Sequence, residues 1–211
     1  MTLRTLPQQI YDFIVNEIRF GSLPLGQKIS EAEFMERLST SRTPLREALI
    51  QLASDGILEN VPRKGFYVRN ISQKTSLEYN AIVAQLDYYA IKKAIPHLDD
   101  ADYQRMGMII EDIAFAIASR NYHDYCVLSD KFHAYYYAKS GNDSLPDVIF
   151  DIRNQCLTTT YFSKDTDKLF ELLTVVNREH GDILKLAREN DLAELEKLLI
   201  LHWTKQDLHN Q

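Results

Sequence analysis

Two sets of residues carry chemistry by their type and spacing. The first is three histidines. His133 adjoins the apolar Phe132, His180 continues the stripe Leu173, Val176, Ile183 and Leu184, and His202 continues Leu195, Leu198 and Leu199. A lone histidine on an apolar helix face is usually a core residue with one hydrogen bond. Three of them on three different helices make a nitrogen-donor set suited to one divalent ion of the zinc or nickel kind, because helical bundles build such sites from facing helices. Magnesium or calcium would want more oxygen donors. His97, His123 and His209 fall in loops or near helix ends and read as solvated. The second set is Arg42 and Arg46, four apart and so on one face of a helix that opens at Ser41. Ser41 can cap that helix with its hydroxyl, and Pro44 is tolerable so near the start, where N–H groups lack intrahelical partners. Leu45, Leu49 and Leu52 lie on another face and pack inward. A basic leading end on a helix held down by its apolar side suits the DNA major groove, where N-terminal residues reach base edges and phosphates. Taken alone, residues 41–49 read better as a solvated amphipathic helix.

The neighbouring elements reverse that reading. Residues 29–38 form a short helix with Ile29, Phe34 and Leu38 inward, and Ser39-Thr40 leaves room only for a tight turn, so the pair has helix-turn-helix spacing. Asp55-Gly56 stops the second helix. Residues 57–61 and 66–68 read as strands around Pro62-Arg63-Lys64-Gly65, a hairpin with a basic tip, which is the shape of a wing. Residues 7–20 supply a first helix, a core strut carrying Ile10, Phe13, Ile14 and Ile18. From Ser72 onward the pattern is wholly helical. Helices are expected over 76–95 (Ile82, Leu86, Ile91), after an Asp99 or Asp100 cap (Met106, Ile109, Ile110, Ile113, Ile117), over 122–139, and from Pro146 to about Phe162. Two more carry the stripes of His180 and His202. Six helices with short connections read as an antiparallel bundle. The expected fold is mainly α: a winged helix-turn-helix of three helices and a two-stranded wing over residues 1–70, then an all-α bundle over 71–211.

Charge divides the same way. The net charge of −6 looks wrong for a DNA binder, but residues 1–70 hold nine Lys/Arg and eight Asp/Glu, whereas 71–211 hold fifteen and twenty-two. The first part is therefore +1 and the second −7. A nearly neutral DNA module needs its cations placed locally, at Arg42, Arg46, Arg63 and Lys64. The acidic remainder is repelled by phosphate, which favours docking through one face. No run of about 20 apolar residues suggests a membrane span, and Met1-Thr2-Leu3-Arg4 lacks the apolar core of a signal peptide. Cys126 and Cys156 suggest no disulfide framework, so a cytoplasmic protein is expected.

The stretches Ser41 to Leu49, Leu52 to Ile57 and Arg63 to Val68 resemble the winged-helix domain of the GntR superfamily of bacterial transcription regulators, whose pattern is S-R-T-P-V-R-E-A-L, then L-x-x-x-G-[LI], then R-x-G-x-x-V. The resemblance spans residues 6–70. It implies that Arg42, Thr43 and Arg46 contact DNA and that Gly65 lets the wing backbone approach the minor groove. Ser41, Arg63 and Lys64 complete the expected interface. Ser39 replaces the usual turn glycine, and Ala32 stands where many relatives carry a DNA-contacting arginine. Residues 72–208 resemble the ligand-sensing (FCD-type) domain of the FadR branch, through Phe132-His133 with Gly141-Asn142, Glu179-His180, and His202. The six-helix count is similar to the VanR-type subgroup. The resemblance implies a small effector, often a carboxylate, and in many members a divalent metal. Metal-binding relatives carry aspartate four residues before the first histidine. That position here is Ser129, and Asp130, three before His133, faces roughly the same way and could replace it. Ala84 stands where many relatives show an arginine, which leaves Arg153 as the candidate partner of an effector carboxylate, or else as a solvated surface residue.

The leading expectation is a homodimeric repressor that binds double-stranded operator DNA and is switched by a small carboxylate, with a zinc or nickel ion as its one cofactor. The same regulator with a metal-free bundle serving for dimerisation is the alternative. A metal-dependent hydrolase is less consistent, because no carboxylate is placed as a general base and the 41–49 stretch would have no purpose.

Overall fold

The computed structural model describes residues 5–155 and 166–204 of the 211-residue chain. Of these, residues 5–72 with Asn154 and Gln155 form one compact unit, and residues 73–153 with 166–204 form the other. In the first, α1 (Leu6–Arg19), α2 (Glu31–Arg37) and α3 (Arg42–Ser54) are followed by strands β1 (Leu58–Val61) and β2 (Gly65–Val68). The strands pair antiparallel, Leu58 opposite Val68 and Val61 opposite Gly65. Residues 26–29 run along the outer edge of β2, with Ile29 N–H donating to the Phe66 carbonyl at 2.8 Å and Val68 N–H to that of Gln27 at 2.9 Å. Ile10, Ile14 and Ile18 of α1, Phe34 of α2, and Leu45, Leu49 and Leu52 of α3 close one apolar core with Ile57, Phe66 and Val68.

Local backbone follows from local chemistry. The Ser30 hydroxyl accepts from the N–H of Glu33 and starts α2. Ser41 occupies the N-cap position of α3, but its side chain makes no cap hydrogen bond, contrary to the expected hydroxyl cap. Its hydroxyl is left on an exposed surface. Ser39 takes a left-handed φ of 47°; this costs about 1 kcal/mol and lets the α2–α3 turn close tightly. At the wing tip Gly65 has φ +97°, and only Lys28 Cε would come near an added Cβ, at 3.8 Å. Glycine is needed there for its backbone and not for lack of space.

The second unit contains α4 (Gln73–Ala94), a short 3-10 turn (Ile95–His97), α5 (Asp100–Ala118), α6 (Tyr122–Tyr137), all but the last two residues of α7 (Leu145–Gln155), α8 (Thr166–Glu189) and α9 (Leu192–Thr204). Asp99 caps α5 in a reciprocal box with Asp102, and the Asn121 side chain caps α6. Among the described residues α4 packs on α9 and α6, α5 on α6 and α8, and α8 on α9. The expected extension of α7 toward Phe162 lies outside the described residues, as do Cys156 and His209. The inward face of α4 differs from the Ile82–Leu86–Ile91 stripe. Ile82 is 48% exposed, whereas Val83, Ala84, Asp87, Ala90, Ile91 and Ala94 are buried. Small alanines let α9 approach closely, and they give a weak apolar signal in sequence. No described helix is long and apolar enough to cross a membrane.

Candidate functional site

In the first unit, α3 presents Arg42, Thr43 and Arg46 on an exposed face, because Leu45, Ala48, Leu49 and Leu52 hold the opposite face in the core. The wing tip stands across from it. Between them lies a concave surface of about 850 Å³, bordered by Arg42, Arg46, Arg63 and Lys64 and by two further charged residues, Lys28 and Glu31. Five cations and one carboxylate there make a positive concavity on a nearly neutral module. Glu31, on α2, takes both arginines: its carboxylate lies 3.3 Å from Arg46 Nε and 3.9 Å from Arg42 Nε. Both guanidinium groups remain more than half exposed and point off the surface. Sequence reasoning missed Lys28 and Glu31. Lys28 sits outside every named element and reaches the wing through a bridge to Tyr67. The signal for Glu31 was its place at the start of α2, one helix away from the arginines it meets.

In the second unit the three histidines come from α6, α8 and α9 and meet. One ring nitrogen of each of His133, His180 and His202 lies within 4.8 Å of those of the other two, and all three are buried. Ring centroids are 5.0–5.4 Å apart. Phe132 lies against His180 and Trp203 against His133. Each Nδ1 faces a protein acceptor. His133 Nδ1 is 2.6 Å from the Tyr136 hydroxyl and 3.2 Å from Asp87; His202 Nδ1 is 3.0 Å from Glu179. His180 Nδ1 is 3.3 Å from Asn177 Oδ1, and the Asn177 amide is oriented by donating its N–H to the Ile110 carbonyl. His180 Nε2 is buried without a hydrogen-bond partner.

The other expected site residues fall beside this group. Asp130 pairs with Arg153 at 2.5 Å and is not one of the three clustered donors. The Arg153 guanidinium lies 5.1 Å from the centre of the Trp203 ring, which packs on His133. Burial opposes its charge, but Asp130, Tyr137 and Asp87 together outweigh that and raise its pKa. The carboxylates of Asp87 and Glu179 sit directly behind two of the rings. Sequence reasoning missed Asp87. Its signal was a charged residue at the spacing of the buried positions Val83, Ala90, Ile91 and Ala94.

Burial, and then the charge of neighbouring histidines, holds His180 well below the usual histidine pKa. His133 is also lowered by burial despite the opposing pull of Asp87. Both titrate near 6.5 in an unfolded chain. Below that pH the unfolded state takes up protons that the folded state refuses, so stability present above about pH 6.5 is lost as the pH falls. Thermal melts of metal-free protein should show a lower Tm at pH 5.5 than at 7.5, with a smaller drop in a His180→Leu variant. An equal drop in the variant would show that His180 does not contribute.

Two family models match the chain. Residues 6–68 match bacterial regulatory proteins of the gntR family, and residues 80–205 match the FCD domain. The chain is 25% identical over 195 residues to the HTH-type transcriptional repressor RspR of Escherichia coli (strain K12), covering 92% of this chain and 84% of that protein. It is 30% identical over 182 residues to the Nta operon transcriptional regulator of Aminobacter aminovorans, covering 85% and 82%. Among solved structures, E. coli McbR/YncC superposes with a TM-score of 0.81 at 20% identity, over 96% of this chain and 95% of that one, a likeness of fold.

Proposed function

Since the chain belongs to the gntR family of bacterial regulatory proteins, with an FCD domain after its winged helix, we propose that it is a homodimeric repressor whose operator affinity is set by a small carboxylate held in the helical bundle. That it is a DNA-binding transcription regulator, and not an enzyme, follows from the family and its relatives. Repression is carried over from the relatives named as repressors, RspR among them. Dimerisation is argued from recognition: one winged domain reads too few base pairs for operator selectivity, and two bind a roughly palindromic site. Ser41, Arg42, Thr43 and Arg46 on α3 would face the major groove, with Arg63, Lys64 and Gly65 of the wing on the adjacent backbone and minor groove.

The observation that carries the bundle half of this reading is the convergence of the three buried imidazoles. The donor set fits zinc or nickel, and the unpartnered His180 Nε2 is a buried lone pair or N–H with nothing to bind in the protein itself. His133, His180 and His202 would hold the ion, which would supply a Lewis-acidic seat for an effector carboxylate. The protein's own residues do the rest. Asp87, Asn177 and Glu179 orient the rings, Phe132 and Trp203 exclude water, and Arg153 offers a fixed cation that Asp130 occupies until an anionic effector arrives. An effector that binds one state of the regulator better than the other shifts operator affinity by that difference, typically about 5–150-fold.

Thermal-shift screening against organic acids, sugar acids and neutral sugars tests the proposal, followed by operator titration with each stabilising compound. A carboxylate should stabilise the protein and weaken operator binding. Stabilisation by neutral compounds alone would contradict the carboxylate. Stabilisation by an acid with unchanged DNA affinity would make the bundle a scaffold only.

A further inference from the structure

We infer that Asp87 is a positioning residue of the histidine site: together with Tyr136 it fixes which nitrogen of His133 carries the proton and so presents the other nitrogen as an ion ligand. The inference rests on the proposed reading of the three histidines as a metal site.

Asp87 lies in the middle of α4 and is fully buried. A carboxylate there is costly unless donors surround it. Three partners do so, from two other helices. The Tyr136 hydroxyl donates to Oδ1 at 2.5 Å, Trp203 Nε1–H donates to Oδ2 at 2.6 Å, and His133 Nδ1 is 3.2 Å from Oδ2. Tyr136 and Trp203 already give each oxygen a donor, so tying α4 to α6 and α9 does not require the histidine.

The order of donors makes the histidine's role specific. Tyr136 gives its only O–H to Asp87, so its oxygen, 2.6 Å from His133 Nδ1, can act there only as an acceptor. Asp87 itself is acceptor-only when ionised. The Tyr136 O–H and the Trp203 N–H both donate to it, which favours the ionised form. Both atoms that face Nδ1 are therefore acceptors, and the proton must sit on Nδ1. Nε2 is left with its lone pair. Glu179 imposes the same tautomer on His202, and Asn177 Oδ1 does so for His180. In metal sites the partner on the far nitrogen fixes tautomer and ring orientation, and its loss costs about 10–100-fold in metal affinity. A carboxylate in this place also offsets part of a dication's charge.

The test uses full-length, untagged protein and zinc chloride alone, titrated against a chromophoric chelator. Asp87→Asn and Tyr136→Phe are compared with wild type. In parallel, long-range proton–nitrogen spectra of the zinc-free proteins report the His133 tautomer. Wild type should bind zinc and show His133 protonated at Nδ1. Asp87→Asn should lose about 10–100-fold in zinc affinity and show a mixed or reversed tautomer at His133, whereas Tyr136→Phe, which leaves Asp87 Oδ2 facing Nδ1, should keep Nδ1 protonated and lose less. Should Asp87→Asn fail to fold, the wild-type spectrum decides: His133 protonated at Nε2 would overturn the inference. Wild-type zinc affinity and an unchanged tautomer in Asp87→Asn would make Asp87 a structural hub and overturn the inference while leaving the metal reading intact. If wild type itself binds no zinc, the metal reading fails and this inference with it.

Discussion

Replacing His180 with leucine should abolish zinc binding while leaving the metal-free protein as stable as wild type or more so. The His180 ring is buried, its Nε2 has no partner, and burial holds its pKa well below the usual value. A buried unsatisfied polar atom costs about 1–3 kcal/mol, and leucine of similar volume removes it at the contact with Phe132. Natural proteins keep such a cost where function requires it. Two imidazoles hold an ion far less well than three, so the loss in zinc affinity should exceed the roughly 10–100-fold that follows from losing an orienting partner. Zinc at a hundred times its Kd should stabilise wild type by about 2.7 kcal/mol and leave His180→Leu unmoved. Metal content by mass spectrometry and melts with and without zinc decide the matter. A variant that loses stability in chelator and still takes up zinc would show that His180 is only a core residue.

Arg46→Ala and Arg42→Ala should each weaken specific operator binding by about 1–3 kcal/mol, the range for arginines that read base edges. The two effects should not add, because both guanidinium groups share the Glu31 carboxylate. Removing one arginine leaves Glu31 to pull the other from its place. Arg63→Ala and Lys64→Ala at the wing tip should behave differently. A phosphate contact weakens binding evenly across sequences and reduces the salt slope by about 1. Anisotropy titrations over a salt series, with a duplex selected from a random library and with a scrambled one, separate the two classes. Wild-type affinity for the selected duplex in both α3 variants would remove α3 from the interface.

Much of this was legible in the chain itself. Arginines four apart beside leucines at helical spacing define a two-faced helix whatever surrounds it, and a turn of two residues before it leaves few ways to pack α2. The six bundle helices could be traced because apolar residues repeat every three or four positions between clear stops such as Pro96 and Gly141. Periodicity is a local property, so it survives without knowledge of the fold. It also placed His180 and His202 on apolar faces.

What those faces meet is not local. That ring nitrogens 47 and 69 positions from His133 come within 4.8 Å of it depends on how α6, α8 and α9 pack. The inward face of α4 was decided by alanines that allow close approach, which moved Ile82 outward and Asp87 inward. Asp130 could be placed on the face of His133 from sequence, but its pairing with Arg153 of α7 required two helices to be side by side. Glu31 shows the same limit in the winged unit. A carboxylate at the start of one helix reads as a favourable first-turn charge, and only the turn at Ser39, which folds α2 against α3, turns it into the clamp on Arg42 and Arg46. Side-chain type and helical phase are written residue by residue. Which polar groups share a buried space is set by packing among elements distant in sequence, and buried polar groups, unlike apolar ones, act only through specific partners.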